Sequence, residues 1–553
     1  MTASFIKKAI FLTISLTTLC SSAFSDNVTN PKSFQITKNL SIFNAVVREL
    51  DMHYVDTIDY DKFFKKTIDG MLDKLDPYTD YYTEDDTEQL TFMTKGEYVG
   101  IGAVIVKKGK NIMIADLYEG KPAHKADIRV GDVIMEVDGK KVEGRTSEEV
   151  SSMLKGLKNS TIKIKLQRDN LQLTKEFLRE KIHLNPVDYS TVLAPNVGYI
   201  RLGEFTEQSA QEFRTVVADM QKSNAIQSLI IDVRNNGGGL VDEAVKILGF
   251  FLPKGTVVAY TKGKNKQSDR TYKTPLEPQF PNMKLVVLTN RLSASASEIL
   301  AGAIQDLDRG LVVGERTYGK GLVQSVHPIP FNGNVKVTIA KYYIPTGRCI
   351  QAIDYSQRNE DGSVGRIPDS LTTVFKTTNG RVVRDGGGIL PDTLTSDDKK
   401  WNIAHYIYMQ NMYFDFVNEY VKKHSTIARP EVFALDSTDF NDFKDYLLKQ
   451  KFTYTSQSEK AFDELMEVVS LEGYDKSATA ELEALKLKLK PDVSKNIADN
   501  ATKIREYLSI EIVKRYYFQK GVIQYYMDKD DEVKVALALL NNTTKFKEML
   551  SEK

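Results

Sequence analysis

Three short strings in this 553-residue chain hold residues whose types and spacing could carry covalent chemistry. The first, "LSASASEILAGAIQD" (292–306), follows an apolar strand-like run that ends at Asn290 and leads into an apolar helical run. A serine in the first turn of such a helix lies among unpaired N–H groups at the positive end of the dipole, where a developing oxyanion is stabilised. Ser293, Ser295 and Ser297 all meet this description, and each would also serve as an ordinary N-cap. The second string, "GERTYGKGLVQ" (314–324), sets Lys320 between two glycines ahead of a strand-like run. If the extended form begins at Lys320, that residue and Gln324 project to the same face, and the amide could orient the amine. Lysine is a general base only when neutral. Its ordinary pKa of about 10.4 must therefore fall by roughly three units, about 4 kcal/mol, which apolar walls can supply. The third string, "IIDVRNNGGGLVDEA" (230–244), puts Gly237, Gly238 and Gly239 between a strand and a helix, a turn able to offer a second oxyanion donor. A hydroxyl, an amine and converging N–H groups are the parts of an acyl-transfer site.

Other chemistries find less support. The six histidines (53, 124, 183, 327, 405 and 424) are scattered, and none points to a Ser-His-Asp triad. No zinc spacing, EF-hand loop, phosphate loop or dinucleotide fingerprint appears, so no metal or nucleotide cofactor is expected. Lys plus Arg number 75 against 74 Asp plus Glu, so no overall electrostatic drive toward nucleic acid is expected. With 41% apolar and 27% charged residues the chain reads as globular, and its length suggests three to four domains.

The elements that must position these strings are legible. From Val197 to about Ile350, strand-like runs ("VGYIRL", "SLIIDV", "KLVVLT", "GLVVGE") alternate with helical ones, which predicts an α/β core. Residues 96–178 hold short β runs and one helical stretch at Ser147–Leu157, a compact β-rich module. About Asn39 to Leu75 reads helical and closes on the turn-rich "KLDPYTDYYTEDD". Beyond Asp397 a helical period recurs, as in Ile403, Ile407, Val417 and Ile504, Leu508, Ile512.

Taken together the three strings resemble the carboxyl-terminal processing, or tail-specific, proteases, a serine-lysine peptidase family. There the nucleophile lies in an S-A-S-A-S-E-like string and the base lysine 25 positions later in a G-K-G context, so the resemblance selects Ser295 with Lys320. It implies that Gln324 orients the lysine, that Asp306 at the end of the serine helix is supporting, and that the oxyanion hole uses the N–H of Ala296 and one from the glycine turn. That donor is placed at Gly238, with Gly239 as the alternative, and Gly237 stands where members often have proline. The resemblance extends to the β module, whose "EYVGIGAVI" and "EGKPAHKADIRVGDVIMEVDGKKV" look like a circularly permuted bacterial PDZ domain. Gly100, Ile101 and Gly102 would form its carboxylate-binding loop, and Asp127 stands where the family usually has glycine. PDZ modules add a peptide as an edge strand and capture its C-terminal carboxylate.

The implied fold class is α+β multidomain: an α/β core of crotonase/ClpP-like type, an inserted PDZ domain and helical regions at both ends. The expected segments are 1–25 signal peptide, 26–92 helical subdomain, 93–180 PDZ, 181–395 protease core and 396–553 helical tail. The implied activity is serine endopeptidase, without cofactor, on proteins or peptides with free C-termini. The tail could cap the core, support a homodimer or meet an adaptor. Lys7 and Lys8, the apolar run Ala9–Leu19 and Ala23-Phe24-Ser25 predict export to the periplasm with cleavage after Ser25. An uncleaved anchor or a lipidated Cys20 are the alternatives. Cleavage would leave Cys349 as the lone cysteine, so packing must supply stability. Two rival readings are a non-catalytic PDZ scaffold with a degenerate core and a crotonase-like acyl-CoA enzyme.

Overall fold

The computed structural model describes residues 31–86, 96–183, 185–355, 365, 367–395, 402–474 and 476–551. The leader, its cleavage site and Cys20 lie outside the described residues. The chain divides into two compact units at Pro77/Tyr78. In the first, helices Pro31–His53 and Tyr60–Leu72 are joined by a turn in which Asp59 caps the second helix by accepting the Lys62 N–H at 3.2 Å. Tyr60 OH donates to Asp51 at 2.7 Å, and the Phe43 and Phe64 rings meet edge to face.

In the second unit, four runs with apolar side chains at nearly every position can be buried only in a sheet covered on both faces. They form strands Val197–Leu202, Ser228–Asp232, Lys284–Thr289 and Leu311–Gly314, parallel and adjacent in that order. Antiparallel Val187–Ala194 closes one edge and Thr393–Leu394 the other. Helices Ser209–Asn224, Val241–Leu248 and Ala296–Asp306 cover one face, packing Phe213, Ile247 and Ile299 into the same core as Leu229, Ile231 and Val287. The opposite face, with Tyr199, Ile230, Val286 and Leu288, is covered by Val533, Ala536, Leu539 and Leu540 of helix Asp531–Asn541. Each leucine so buried contributes roughly 1.5–3 kcal/mol. Of the three roles open to the tail, capping the core is the one the fold displays.

A second sheet carries the lysine string. Strands Leu322–Pro328 and Asn334–Tyr343 form a hairpin, flanked by Val257–Gly263, Arg270–Lys273 and the short strand Asp80–Tyr82. Residues 78–86 therefore belong with the core, not with a helical subdomain running to residue 92. The "DPYTDYY" turn string delivers that strand, whose extended form the helical period upstream conceals.

The β-rich module holds strands between Ala103 and Leu178 around Ile112, Ile134, Ile162 and Ile164, with helix Ser147–Leu154 closed by a Thr146/Glu149 capping box. Strands Glu97–Gly100 and Glu180–His183 pair at its junction with the core. Asp127 has φ 54°, the left-handed region for which a glycine is the usual occupant. Its turn is nonetheless held, because Arg168 donates to the Asp127 carbonyl at 2.7 Å and to buried Asp132 at 2.7 and 2.8 Å.

The tail builds its own aromatic core around Tyr413, Phe416, Phe443, Leu508 and Ile512. It also grips the β-rich module. Lys108 pairs with Asp415, Lys514 with Asp116 at 2.9 Å, and the Phe518 ring meets His124 at 5.1 Å between centroids. Phe518 itself interrupts helix Ala501–Met527 with φ 55°. Among the described residues no helix is long and apolar enough to cross a membrane.

Candidate active site

The serine string leaves strand Lys284–Thr289, turns, and enters helix Ala296–Asp306. The fold separates its three serines. Ser293 and Ser297 are fully buried and donate their hydroxyls to the carbonyls of Val233 at 2.7 Å and Asn236 at 2.9 Å. Ser295 alone reaches the surface, 7% exposed, and its hydroxyl donates to no acceptor among the described residues. It is held at φ 56°, ψ −113°, a sparsely populated conformation for a non-glycine residue that costs of order 1–3 kcal/mol and points to a functional constraint. The glycine turn makes room for it. A Cβ on Gly238, itself at φ 104°, would lie 2.7 Å from both Ser295 Cβ and the Ala294 carbonyl oxygen.

What joins the serine turn to the lysine loop is Glu298, three residues into the helix and fully buried. Its Oε2 accepts the N–H of Ser295 at 2.9 Å and the N–H of Lys320 at 2.8 Å. Those two amide nitrogens are thus no more than two hydrogen-bond lengths apart. Its Oε1 accepts the Thr317 hydroxyl at 2.6 Å and the Gly319 N–H at 2.8 Å. Burial pushes this carboxyl up to about 7 from its ordinary 4.5, against the pull of these four donors. The Lys320 side chain is half-buried, its Nζ 4.3 Å from the centroid of the Tyr78 ring. No hydrogen bond joins Ser295 Oγ to Lys320 Nζ among the described residues. The two loops are brought together through their backbones.

Three expectations from the sequence meet a different local geometry. The strand after the lysine begins at Leu322, with a register shift at Val323/Gln324, so Lys320 and Gln324 do not share an unbroken strand face. Gln324 donates its Nε2 to Thr338 at 3.2 Å, not to the lysine. The Gly238 N–H is taken by the Asn236 side-chain oxygen at 2.8 Å. By contrast, the N–H groups of Ala296 and Gly239 have no acceptor among the described residues. Asp306 ends the same helix, 1% exposed. It accepts Arg348 Nε at 3.0 Å and both the N–H (3.0 Å) and the hydroxyl (2.7 Å) of Thr346.

In the β-rich module a groove of about 580 Å³ runs between strand Ala103–Lys108 and helix Ser147–Leu154, lined by Gly100, Ile101, Val104, Tyr118 and Ser151. The Ile101 and Gly102 carbonyls accept the N–H groups of Ala123 and Tyr118, whereas their own N–H groups have no acceptor among the described residues. Gly102 is at φ 73°, and a Cβ there would meet Lys121 Cβ at 2.4 Å. Such a loop can receive a carboxylate.

Family models match this organisation. Residues 196–357 match the model described as Peptidase family S41, 89–167 a PDZ domain, and 403–540 a C-terminal helical domain described for a probable PDZ-protease. The "Probable CtpA-like serine protease" of Staphylococcus aureus (strain N315) is 36% identical over 314 residues, 56% of this chain and 62% of that protein. The chain therefore spans less than two thirds of that relative's length. The "Carboxy-terminal-processing protease" of Bartonella bacilliformis is 31% identical over 354 residues, 63% of this chain and 80% of that protein. The chain belongs to the carboxyl-terminal processing proteases of peptidase family S41. The solved photosystem II D1 C-terminal processing protease is 29% identical and covers 63% of this S41 chain and 86% of its own, with a TM-score of 0.36.

For this S41 chain, sequence reasoning overlooked Glu298 and Tyr78. Glu298 had a signal: serine and glutamate three apart ahead of an apolar run is the capping-box spacing. Tyr78 had none, since its contact with Lys320 depends on the pairing of Asp80–Tyr82 with a strand far along the chain.

Proposed function

We propose that the protein is a serine endopeptidase of the cell envelope that takes hold of substrates by their free C-termini and cleaves them with Ser295 and Lys320. The observation that carries the reading is the Glu298 carboxylate bonded at once to the Ser295 and Lys320 amides. A buried acid in that place ties the backbone of a strained serine to the backbone of a loop lysine, which supports the pairing and is a stringent arrangement for a chain that needed only to bind peptides. In the reaction, neutral Lys320 takes the Ser295 hydroxyl proton as Oγ attacks the substrate carbonyl. The oxyanion is received by the N–H of Ala296 and one from the glycine turn. Gly239 is the better second donor, because its N–H has no acceptor among the described residues whereas Gly238's would first have to leave Asn236. Collapse breaks the C–N bond, Lys320 protonates the leaving amine, and an ester on Ser295 remains. Lys320 then deprotonates a water that attacks the ester, and the proton returns to Oγ. The PDZ groove supplies binding through the Gly100–Gly102 loop, and the basic and apolar run at residues 7–19 supports export.

The test is cleavage of a peptide with a free apolar C-terminus. Ser295→Ala and Lys320→Ala should each lose at least about a thousand-fold in kcat/KM while binding the peptide with unchanged affinity. Retained cleavage by both variants rejects the assignment.

A further inference from the structure

We infer that Tyr78 is a positioning residue for the proposed general base: its ring holds the Lys320 ammonium, and the segment that carries it braces the Leu322–Tyr343 hairpin that follows the lysine. The inference rests on the reading of Lys320 as the base. Two neighbouring residues make the case by separate contacts. Lys320 Nζ lies 4.3 Å from the Tyr78 ring centroid, close enough for a cation–π contact. Thr79 Oγ1 accepts the Thr338 N–H at 3.2 Å, and Thr338 Oγ1 in turn accepts Gln324 Nε2 at 3.2 Å. The strand that follows, Asp80–Tyr82, is zipped to Asn334–Lys336 of the same hairpin. Tyr78 is itself fixed, with its hydroxyl 3.3 Å from that of Tyr355 and the two rings edge to face at 5.9 Å. One short stretch of chain thus touches the lysine directly and Gln324 through Thr338.

The ring's preference is for the charged amine. An aromatic face attracts an ammonium through its quadrupole and gains little from a neutral amine, so Tyr78 holds the lysine proton on. For Lys320 to act it must leave the ring and give up that proton, and both changes are tied to one contact. Among the described residues, Tyr318 and Tyr355 bond to the Tyr78 hydroxyl, and Glu298 accepts the Lys320 amide. Glu298 titrates near neutrality and is therefore held constant by using Glu298→Gln as a second background.

The experiment is the pH profile of kcat/KM on a C-terminal-tail peptide, measured with the full chain. Tyr78→Leu should move the acid limb down by roughly half a unit to one unit, since the ammonium loses its stabilising face, and should lower the plateau as the lysine loses its seat. Tyr78→Phe, which keeps the ring, should leave the limb in place. Tyr78→Trp, with a stronger quadrupole, should move it up and guards against misfolding of the leucine variant. The shifts should persist in the Glu298→Gln background. A limb unmoved by both leucine and tryptophan overturns the inference, provided Ser295→Ala and Lys320→Ala are inactive. Activity in those two variants would instead overturn the reading of the dyad.

Discussion

The serine helix carries a buried carboxylate at each end, and the two are held in opposite ways. At its C-terminal end Asp306 faces a cation: Arg348, also 1% exposed, reaches it at 2.8 Å, and Thr346 and Gln305 complete the network. At its N-terminal end Glu298 faces only neutral donors, three backbone N–H groups and one hydroxyl. A matched charge makes an anchor, because neither partner can be removed without stranding the other. An unmatched carboxyl amid backbone donors is a sensor of where those backbones lie, and burial leaves it poised near neutrality. The difference divides the helix into an end held by a matched charge and an end held by neutral donors.

The contrast can be tested from both sides. Replacing the anchor has the largest expected effect: Asp306→Ala strands a buried guanidinium and should destabilise the protease core by about 3–5 kcal/mol. The midpoint of thermal unfolding reads this, and the Asp306→Ala/Arg348→Met double variant should recover part of the loss. Glu298→Ala should behave differently, retaining the fold while lowering kcat roughly a hundred-fold, because the Ser295 and Lys320 amides lose their common acceptor. A Glu298→Ala variant that unfolds like Asp306→Ala would erase the distinction. A third effect, spread over a range of pH, is a pH dependence of stability. Because the folded carboxyl titrates near 7 rather than 4.5, the folded state binds its proton more tightly than the unfolded one. Its contribution to stability is fully present below about pH 4.5 and is lost as pH rises through about 7, a change on the order of 3 kcal/mol. Glu298→Gln, which cannot ionise, should therefore gain on the wild type between pH 5 and pH 8, as read from paired unfolding midpoints.

The sequence made the chemical strings legible because their local grammar is strong. Small residues before an apolar helix, glycines around a lysine and a glycine turn after a strand each have a short-range physical meaning, and the strands and helices they predict are present. The sequence could not tell Ser293, Ser295 and Ser297 apart by type, since what distinguishes them is which hydroxyl finds a carbonyl of the neighbouring Val233–Asn236 segment. The Gly238 N–H is taken by a side-chain amide two residues back, the kind of local competition that glycine-rich strings leave open. Gln324 followed the same rule: a register shift of one position redirected its amide to Thr338. Tyr78 and the tail's cover over the sheet depend on pairings hundreds of residues apart. The all-apolar strands announced that something must shield their second face, but not which segment would do so.

Helix Asp531–Asn541 has a practical corollary for anyone trimming this polypeptide. Stopping after the peptidase segment, at about residue 395, would wet a broad aliphatic plane centred on Ile230, Val286 and Leu288. Such a fragment would be sticky and short-lived in solution however intact its serine turn. Helices Asp531–Asn541 and Thr543–Leu550 are one half of the sandwich in which the parallel sheet is pressed.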